Sequence, residues 1–306
     1  MRIGVITGDA IGRSAFERIR AEAHHAVEDG LQSFWLPQIF GLDALTTLAV
    51  LAPELPGIDL GVGVVPMQPR HPMALAQQAL TVQMATGGRL QLGVGLSHQV
   101  VIETMFGIPW DRPVLRSREY LSALGPLIRD RAVAFTGETV SCAGAIDIPD
   151  PPAACPILLA ALGSQMLKVA GTLADGTITW MTGPATLASH TVPAIVAAAE
   201  QAGRDAAPRV VASAPVCVTD DPDGARARAG EVLAMYGMLP SYRAMLDREG
   251  AAGPSDLTIA GTQEQVIEEV GRYAEAGATE FIALNFSEIT EEYEATRAAL
   301  RALALS

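Results

Sequence analysis

Basic residues are scarce in this sequence: 21 Lys and Arg stand against 34 Asp and Glu, a formal net charge of −13. Nucleic acid and anionic membranes both demand a basic footprint, so neither is an expected partner. An anionic small molecule is still admissible, because helix N-termini and backbone N–H groups can hold one locally. Cysteine is scarce too. Cys142, Cys155 and Cys217 are odd in number and form no CxxC, which argues against a disulfide framework and for a reducing cytoplasm. No stretch approaches the ~20 uninterrupted apolar residues of a spanning helix. MRIGVITGDAIG at the N-terminus has too short an apolar run for a signal peptide. The expectation is a soluble cytoplasmic protein.

Catalytic signatures are sparse as well. The five histidines include no HxH, and His24-His25 fall mid-helix without a set of carboxylates beside them, so no metal is expected. There is no GxSxG nucleophile elbow and no evident carboxylate pair for glycoside cleavage. Apolar residues are abundant: 49% of the 306 residues are hydrophobic and 18% charged. That balance suits an α/β fold with parallel strands buried on both faces, in one barrel-sized domain or two ordinary ones.

One junction recurs along the chain. A helical segment ends in glycine and a β-rich run follows at once: VEDG then LQSFWLP, ATGG then RLQLGVG, LADG then TITWM, AEAG then ATEFIAL. Glycine just past a helix supplies a left-handed C-cap, and the apolar period changes there from helical to strand-like. Strands are expected at Arg2–Thr7, Ser33–Pro37, Leu60 to Val65, Arg89–Val94, Pro156–Ala161, Thr177–Met181, Arg209–Val218 and Thr279–Leu284. Ser14 with Glu17, and Thr262 with Gln265, read as capping boxes. The first opens a helix with Phe16, Ile19, Ala23 and Val27 on one face, and the second a helix with Val266, Val270 and Tyr273 on one side. A third helix carries Ala76, Leu80 and Met84 at four-residue spacing. Three segments break the rhythm: residues 96–112, the hairpin-like 132–152 closed by Pro149, Pro151 and Pro152, and 238–255, rich in Gly and Pro with little periodicity. Eight strand–helix units without an internal linker predict one (β/α)8 TIM barrel over residues 1–306 with insertions, a doubly wound sheet being the alternative.

The stretch LGVGVVPMQPRHP, residues 60–72, organises the rest. Gly61 and Gly63 inside a strand signal a bulge or a large group close to the backbone. Pro66, Pro69 and Pro72 stop regular structure and leave Arg70 and His71 at a strand exit. Arg70 is expected to pair with an acid, and His71 to anchor the turn. A barrel's site lies at the strand C-termini, and those ends hold glycines, amides and hydroxyls but few acids or bases. Such a rim suits chemistry brought by a bound cofactor. GVGLS (Gly93–Ser97) and ALGSQM (Ala161–Met166) could take a phosphate on backbone N–H groups, although GVGLS lacks the third glycine of a dinucleotide fingerprint. His98 is the candidate proton donor, with a substrate-orienting or surface histidine as the alternative reading. Asp9 reads as a turn residue. Trp35, Trp110 and Trp180 read as packing aromatics, Trp110 and Trp180 being also placed to line a pocket.

The order FWLPQIFG…DALTTLA, LGVGVVPMQPRHP, RLQLGVGLSH, WDRP…REYL, ILLAALGSQMLKVAGTLADG and IAGTQEQVIEEV…AGATEF resembles the bacterial-luciferase-like superfamily over nearly the whole chain. It is most similar to the branch that uses the deazaflavin coenzyme F420. The resemblance implies a (β/α)8 barrel whose third strand ends in a bulge with a non-prolyl cis peptide, here Gly63–Val64, behind the deazaflavin ring. It implies Gln38 near the ring's pyrimidine edge and Gly63, Val64 and Val65 as the bulge. Gly95, Leu96 and Ser97, with Ala161, Gly163, Ser164 and Gln165, would hold the phosphate and ribityl tail. Ile39, Trp110 and Trp180 would face the substrate. Sugar-phosphate dehydrogenases of the family carry a histidine after the second strand and a glutamate after the fourth. Ile39 and Ser97-His98 stand there instead, which turns the expectation toward a reductase moving hydride from reduced F420 to an activated C=C, C=N or C=O bond. The resemblance also implies a homodimer acting on a small molecule. An FMN-dependent monooxygenase and a non-catalytic cofactor-binding relative are the alternatives.

Overall fold

A computed structural model describes residues 1–8, 12, 14–148 and 153–305. Three of the four recurring glycines sit at helix ends as expected: Gly30, Gly88 and Gly277 have φ of 69°, 88° and 94°, conformations that favour glycine, and a strand follows each. Gly176, in contrast, is no C-cap but the first residue of a strand, paired with Arg209. The chain begins with β1 (Arg2–Ile6), α1 (Ala15–Glu28), β2 (Ser33–Leu36), α2 (Ala44–Leu51), β3 (Asp59–Pro66), α3 (Pro72–Ala85) and β4 (Leu90–Gly95). Then come α4 (Gln99–Thr104), α5 (Pro113–Arg129) and an antiparallel hairpin of β5 (Ala132–Thr136) and β6 (Ser141–Ala145). Alternation resumes with β7 (Ile157–Ala160), α6 (Ser164–Leu173), β8 (Gly176–Trp180), the short α7 (Pro184–Thr186), a π-helical turn (Leu187–Thr191) and α8 (Val192–Gln201). The last part holds β9 (Arg209–Val218), α9 (Pro222–Val232), α10 (Ala234–Met238) and α11 (Pro240–Glu249). It closes with β10 (Ile259–Gly261), α12 (Gln263–Glu275), β11 (Glu280–Asn285) and α13 (Thr290–Leu305).

Parallel pairing runs β11–β1–β2–β3–β4–β7–β8–β9, and β9 pairs with β11 again. Eight strands therefore close on themselves as a (β/α)8 barrel, and closure excludes the doubly wound sheet. The short β10 lies outside the ring, against the far end of β9.

Strand residues alternate between two cores. One lies between sheet and helices; the other fills the barrel with Ile6, Trp35, Leu158, Ile178, Val211 and Ile282, with Val64, Ala160 and Leu284 partly exposed above them. Trp35 is fully buried, and a Cβ at Gly61 would stand 2.2 Å from its ring. The close approach expected at Gly61 is real, and the large group is the chain's own tryptophan. Beneath this layer a polar plug closes the strand N-termini. Glu280 accepts from Ser33 Oγ at 2.5 Å and from Arg209 Nη2 at 2.7 Å, and Arg209 Nη1 also donates to Gln91 Oε1 at 2.5 Å.

Several local expectations change. The Ser14–Glu17 box does not form: Ser14 has φ 61°, and an N-cap needs extended backbone to aim its hydroxyl at the first turn. The buried face of α1 is Ala15, Ile19, Ala23 and Ala26, with Phe16 and Val27 only half-buried. Met84 ends α3 exposed. His24 has a carboxylate beside it after all, Glu54 at 3.0 Å. Residues 238–255 are largely helical, because their prolines and glycines act as caps: Pro240 starts α11, and Gly250 ends it at φ 77°. The Thr262–Gln265 box forms in full, and Val266, Val270 and Tyr273 are buried. The hairpin stands as expected, while Pro149, Pro151, Pro152 and Asp9 lie outside the described residues. Its turn is held by Glu119, which accepts from the N–H groups of Glu138, Thr139 and Val140 and from the Thr139 hydroxyl. Burial pushes that carboxyl's pKa up, but these four donors outweigh it and hold the value at about 2. Among the described residues no helix is long and apolar enough to cross a membrane.

Candidate active site

The strand C-termini form the mouth. At β3 the register against β4 slips: Val62 faces Leu92, but Val65 faces Val94, leaving one extra residue on β3. The Gly63–Val64 peptide within this bulge is cis, where the resemblance placed it. The bulge sends neighbouring side chains to opposite faces. Val64 joins the barrel interior with Ala160 and Leu284, whereas Val65 is fully buried in the outer core. Only Gly63 and Val64 of the expected three therefore present anything to the mouth. Gly95 backs this wall closely, since a Cβ there would stand 2.7 Å from Val64 Cγ2.

Beside it, β4 leads into Leu96, packed on the outer core, and Ser97, whose φ is 61°. β7 pairs with β4 and leads through Ala161 to α6. Ala161 is buried in the outer core and offers a ligand no side chain, while Gly163, Ser164 and Gln165 are exposed. Gly163 is the N-cap of α6, no side chain caps the helix, and nothing lies within 4 Å of a Cβ built on Gly163. The first N–H groups of α6 are thus open at a positive helix end, an arrangement suited to a phosphate. The loop is fixed from below by His190, a buried residue whose Nε2 donates to the Leu162 carbonyl at 2.8 Å. Nothing in the sequence singles out His190, which lies in the π-helical turn three elements after α6.

The same rim continues into an aromatic cluster. His98 lies 6.2 Å from the Tyr236 ring and 6.0 Å from the Tyr242 ring. Trp180, at the end of β8, meets Tyr236 edge-on at 6.0 Å, and the two tyrosine rings are 5.0 Å apart. Tyr242 comes from α11, in the segment 238–255 whose composition reads as an irregular insertion, and Tyr236 from α10 just before it, so their meeting is invisible until the helices fold over. Glu249 anchors α11 by accepting from the N–H groups of Ala185 (3.0 Å) and Thr186 (2.7 Å). No side-chain hydrogen bond reaches His98 among the described residues. Burial alone holds its pKa below the ordinary value of 6.5, so the ring is neutral at pH 7. A neutral imidazole offers one N–H and one lone pair.

Other candidates lie apart from this cluster. Gln38 Oε1 accepts from Ala44 N at 2.8 Å and so caps α2, leaving its amide N–H groups for any partner. Ile39 and Phe40 are exposed at the β2 exit. Trp110 N donates to Glu103 at 3.3 Å, and the indole meets no other aromatic ring among the described residues. Arg70 pairs with Asp43 at 2.6 Å. His71 anchors its turn, accepting from Met73 N through Nδ1 and donating from Nε2 to the Ser141 carbonyl. No group of three or more His, Cys, Asp or Glu among the described residues could hold a metal ion. Two surface cavities of about 330 and 310 Å³ lie away from the mouth, beside Arg2 and Asp59 and on the outer face of α2 and α3.

Comparison with known proteins gives a consistent result. A profile of the family described as luciferase-like monooxygenase matches residues 1–280. The chain is 28% identical over 247 residues to a 5,10-methylenetetrahydromethanopterin reductase of Methanolobus tindarius, covering 80% of this chain and 74% of the relative. Its fold is similar to the coenzyme F420 dependent tetrahydromethanopterin reductase from Methanopyrus kandleri (TM-score 0.80, 20% identity, 99% of this chain and 97% of the other). It is also similar to the oxygenating constituent of 3,6-diketocamphane monooxygenase from Pseudomonas putida in complex with FMN (TM-score 0.76, 17% identity, 99% and 97%).

Proposed function

This chain belongs to the luciferase-like monooxygenase family, and from that premise we propose that it is a coenzyme F420-dependent oxidoreductase acting on a small organic molecule. The reaction is a reduction of an activated C=C, C=N or C=O bond. The observation that carries the reading is a mouth with two unlike features that meet at the end of β7. One is an apolar wall of Val64, Ala160 and Leu284; the other is the open, uncapped N-terminus of α6. A flat ring with an anionic tail matches that pair, and the similarity to the coenzyme F420 dependent reductase from Methanopyrus kandleri favours the deazaflavin.

When bound, F420 would supply the hydride that the rim itself cannot. Gly63 and Val64 would back its ring, and the free Gln38 amide N–H groups would meet the ring's polar edge. Gly95 and Ser97, with the N–H groups of Gly163, Ser164 and Gln165, would hold the ribityl chain and phosphate. Neutral His98 would donate its N–H to the oxygen or nitrogen on which charge gathers, polarising the acceptor without a full proton transfer at the start. Trp180, Tyr236 and Tyr242 would exclude water beside it. The FMN-bound neighbour favours a second reading, an oxygen-using FMN enzyme.

Titrating the purified protein with F420 and with FMN, followed by quenching of each cofactor's fluorescence, separates the two. F420 is expected to bind, and Gly163→Asp to weaken it at least about tenfold by setting a carboxylate at the anion-binding helix end. Tight FMN binding without F420 binding reverses the order. F420 binding with no hydride transfer to any acceptor points to the non-catalytic reading.

A further inference from the structure

The ring cluster at the mouth is closed by an element the rest of the barrel does not need. Helices α10 and α11 pack over the rim through Tyr236, Tyr242, Leu233 and Leu246 rather than against the barrel's outer face. Four rings interlock edge-to-face or tilted at centroid separations of 5.0 to 6.2 Å. Within this packing the Trp180 indole nitrogen is buried and has no acceptor among the described residues. Buried N–H donors are nearly always paired, and no described residue supplies the acceptor for this one.

Among the described residues no ion pair is made by His98, Trp180 or Tyr242. Burial is the sole cause acting on the His98 ring, and Tyr242 is raised by burial and by Tyr236 with no ionised neighbour. Of the charged groups of α11, Arg243 donates to Asp247 and to the Ala251 and Ala252 carbonyls, and Glu249 is committed to α7. The rim is apolar, with Met235 and Met238 exposed on α10 and Val100 exposed on α4. A charged substrate would be stranded there without a counter-ion, and a flexible aliphatic one would forgo the ring faces.

We propose that α10–α11 is the specificity element of the mouth, and that it selects a flat, uncharged, ring-bearing substrate whose oxygen or nitrogen accepts from Trp180 Nε1. This deepens the F420 reading and rests on it for the reaction, though not for the binding. Ring insertion exchanges one edge-to-face contact for another.

Calorimetric titration of the full chain, with and without F420, uses three probes: indanone, indane, and the open-chain dibutyl ketone of equal carbon count. Indanone is expected to bind at least about tenfold tighter than dibutyl ketone. Trp180→Phe is expected to weaken indanone about tenfold, the loss of one buried hydrogen bond, while leaving indane unchanged. Equal affinity for the two ketones, or a Trp180→Phe loss shared by indane, overturns the proposal. Should circular dichroism show Trp180→Phe unfolded, the three probes on the unaltered chain decide it. Indanone preference without any F420 binding removes the F420 reading and leaves this one standing. F420-dependent turnover of open-chain ketones without ring preference does the reverse.

Discussion

At the floor of the barrel Glu280 is fully buried, yet it accepts from Ser33 and Arg209, and Arg209 in turn satisfies Gln91. Among the described residues at the mouth, Trp180 Nε1 has no acceptor, no side chain caps α6, and the His98 ring meets only other rings. Both ends close the same eight strands. The floor spends ionisable residues and completes every pairing. The mouth contains almost no ionisable residues and leaves donors open. Completed networks fix one structure, whereas open donors in a low-charge setting are what a ligand can complete. The contrast assigns stability to one end and recognition to the other.

The largest expected effect tests the floor. Glu280→Ala strands Arg209 beside an emptied buried site and is expected to cost about 3–5 kcal/mol, or roughly 5–8 °C in Tm, with cofactor affinity kept. Calorimetric melting beside an F420 titration measures both; lost affinity at intact stability breaks the division between the ends. At the mouth the signs reverse. His98→Asn is expected to lower kcat about a hundredfold, or about 2.7 kcal/mol of barrier, with Tm nearly unchanged. A matching fall in Tm places His98 in the scaffold instead.

Between the ends, Gly61→Ala drives a Cβ into the Trp35 ring and is expected to destabilise by about 1–3 kcal/mol, read from urea midpoints. An unchanged midpoint means that the layer can shift and that Trp35 does not fix the floor to the mouth. The smallest effect is a pH slope. The folded-state pKa of His98 lies below 6.5, so the unfolded chain binds its proton first as pH falls. Stability from this group is full above about pH 6.5 and declines as pH drops through the lowered value. His98→Asn is expected to flatten that part of the Tm–pH curve, and an identical slope in the variant contradicts the burial of the ring.

Much of this organisation is written locally. The glycine C-caps, the Thr262–Gln265 box and the β-branched runs dictate alternating helix and strand, because each depends on backbone geometry within a few residues. The bulge at Gly63 and the open glycine at position 163 are legible for the same reason. The Ser14 box misleads, since its motif is present while its backbone is left-handed. Residues 238–255 mislead in the other direction, since Pro240 and Gly250 cap a helix rather than break one.

By itself the sequence determined an acidic chain of alternating strands and capped helices, too poor in acids and bases at its strand ends to supply redox chemistry alone. Tertiary structure decided which glycine answers Trp35, that Val65 turns away from the mouth, and that Tyr236 and Tyr242 meet His98 and Trp180. Those pairings join residues far apart in the chain. A ring's partner is set by where distant helices come to rest, which no local period encodes.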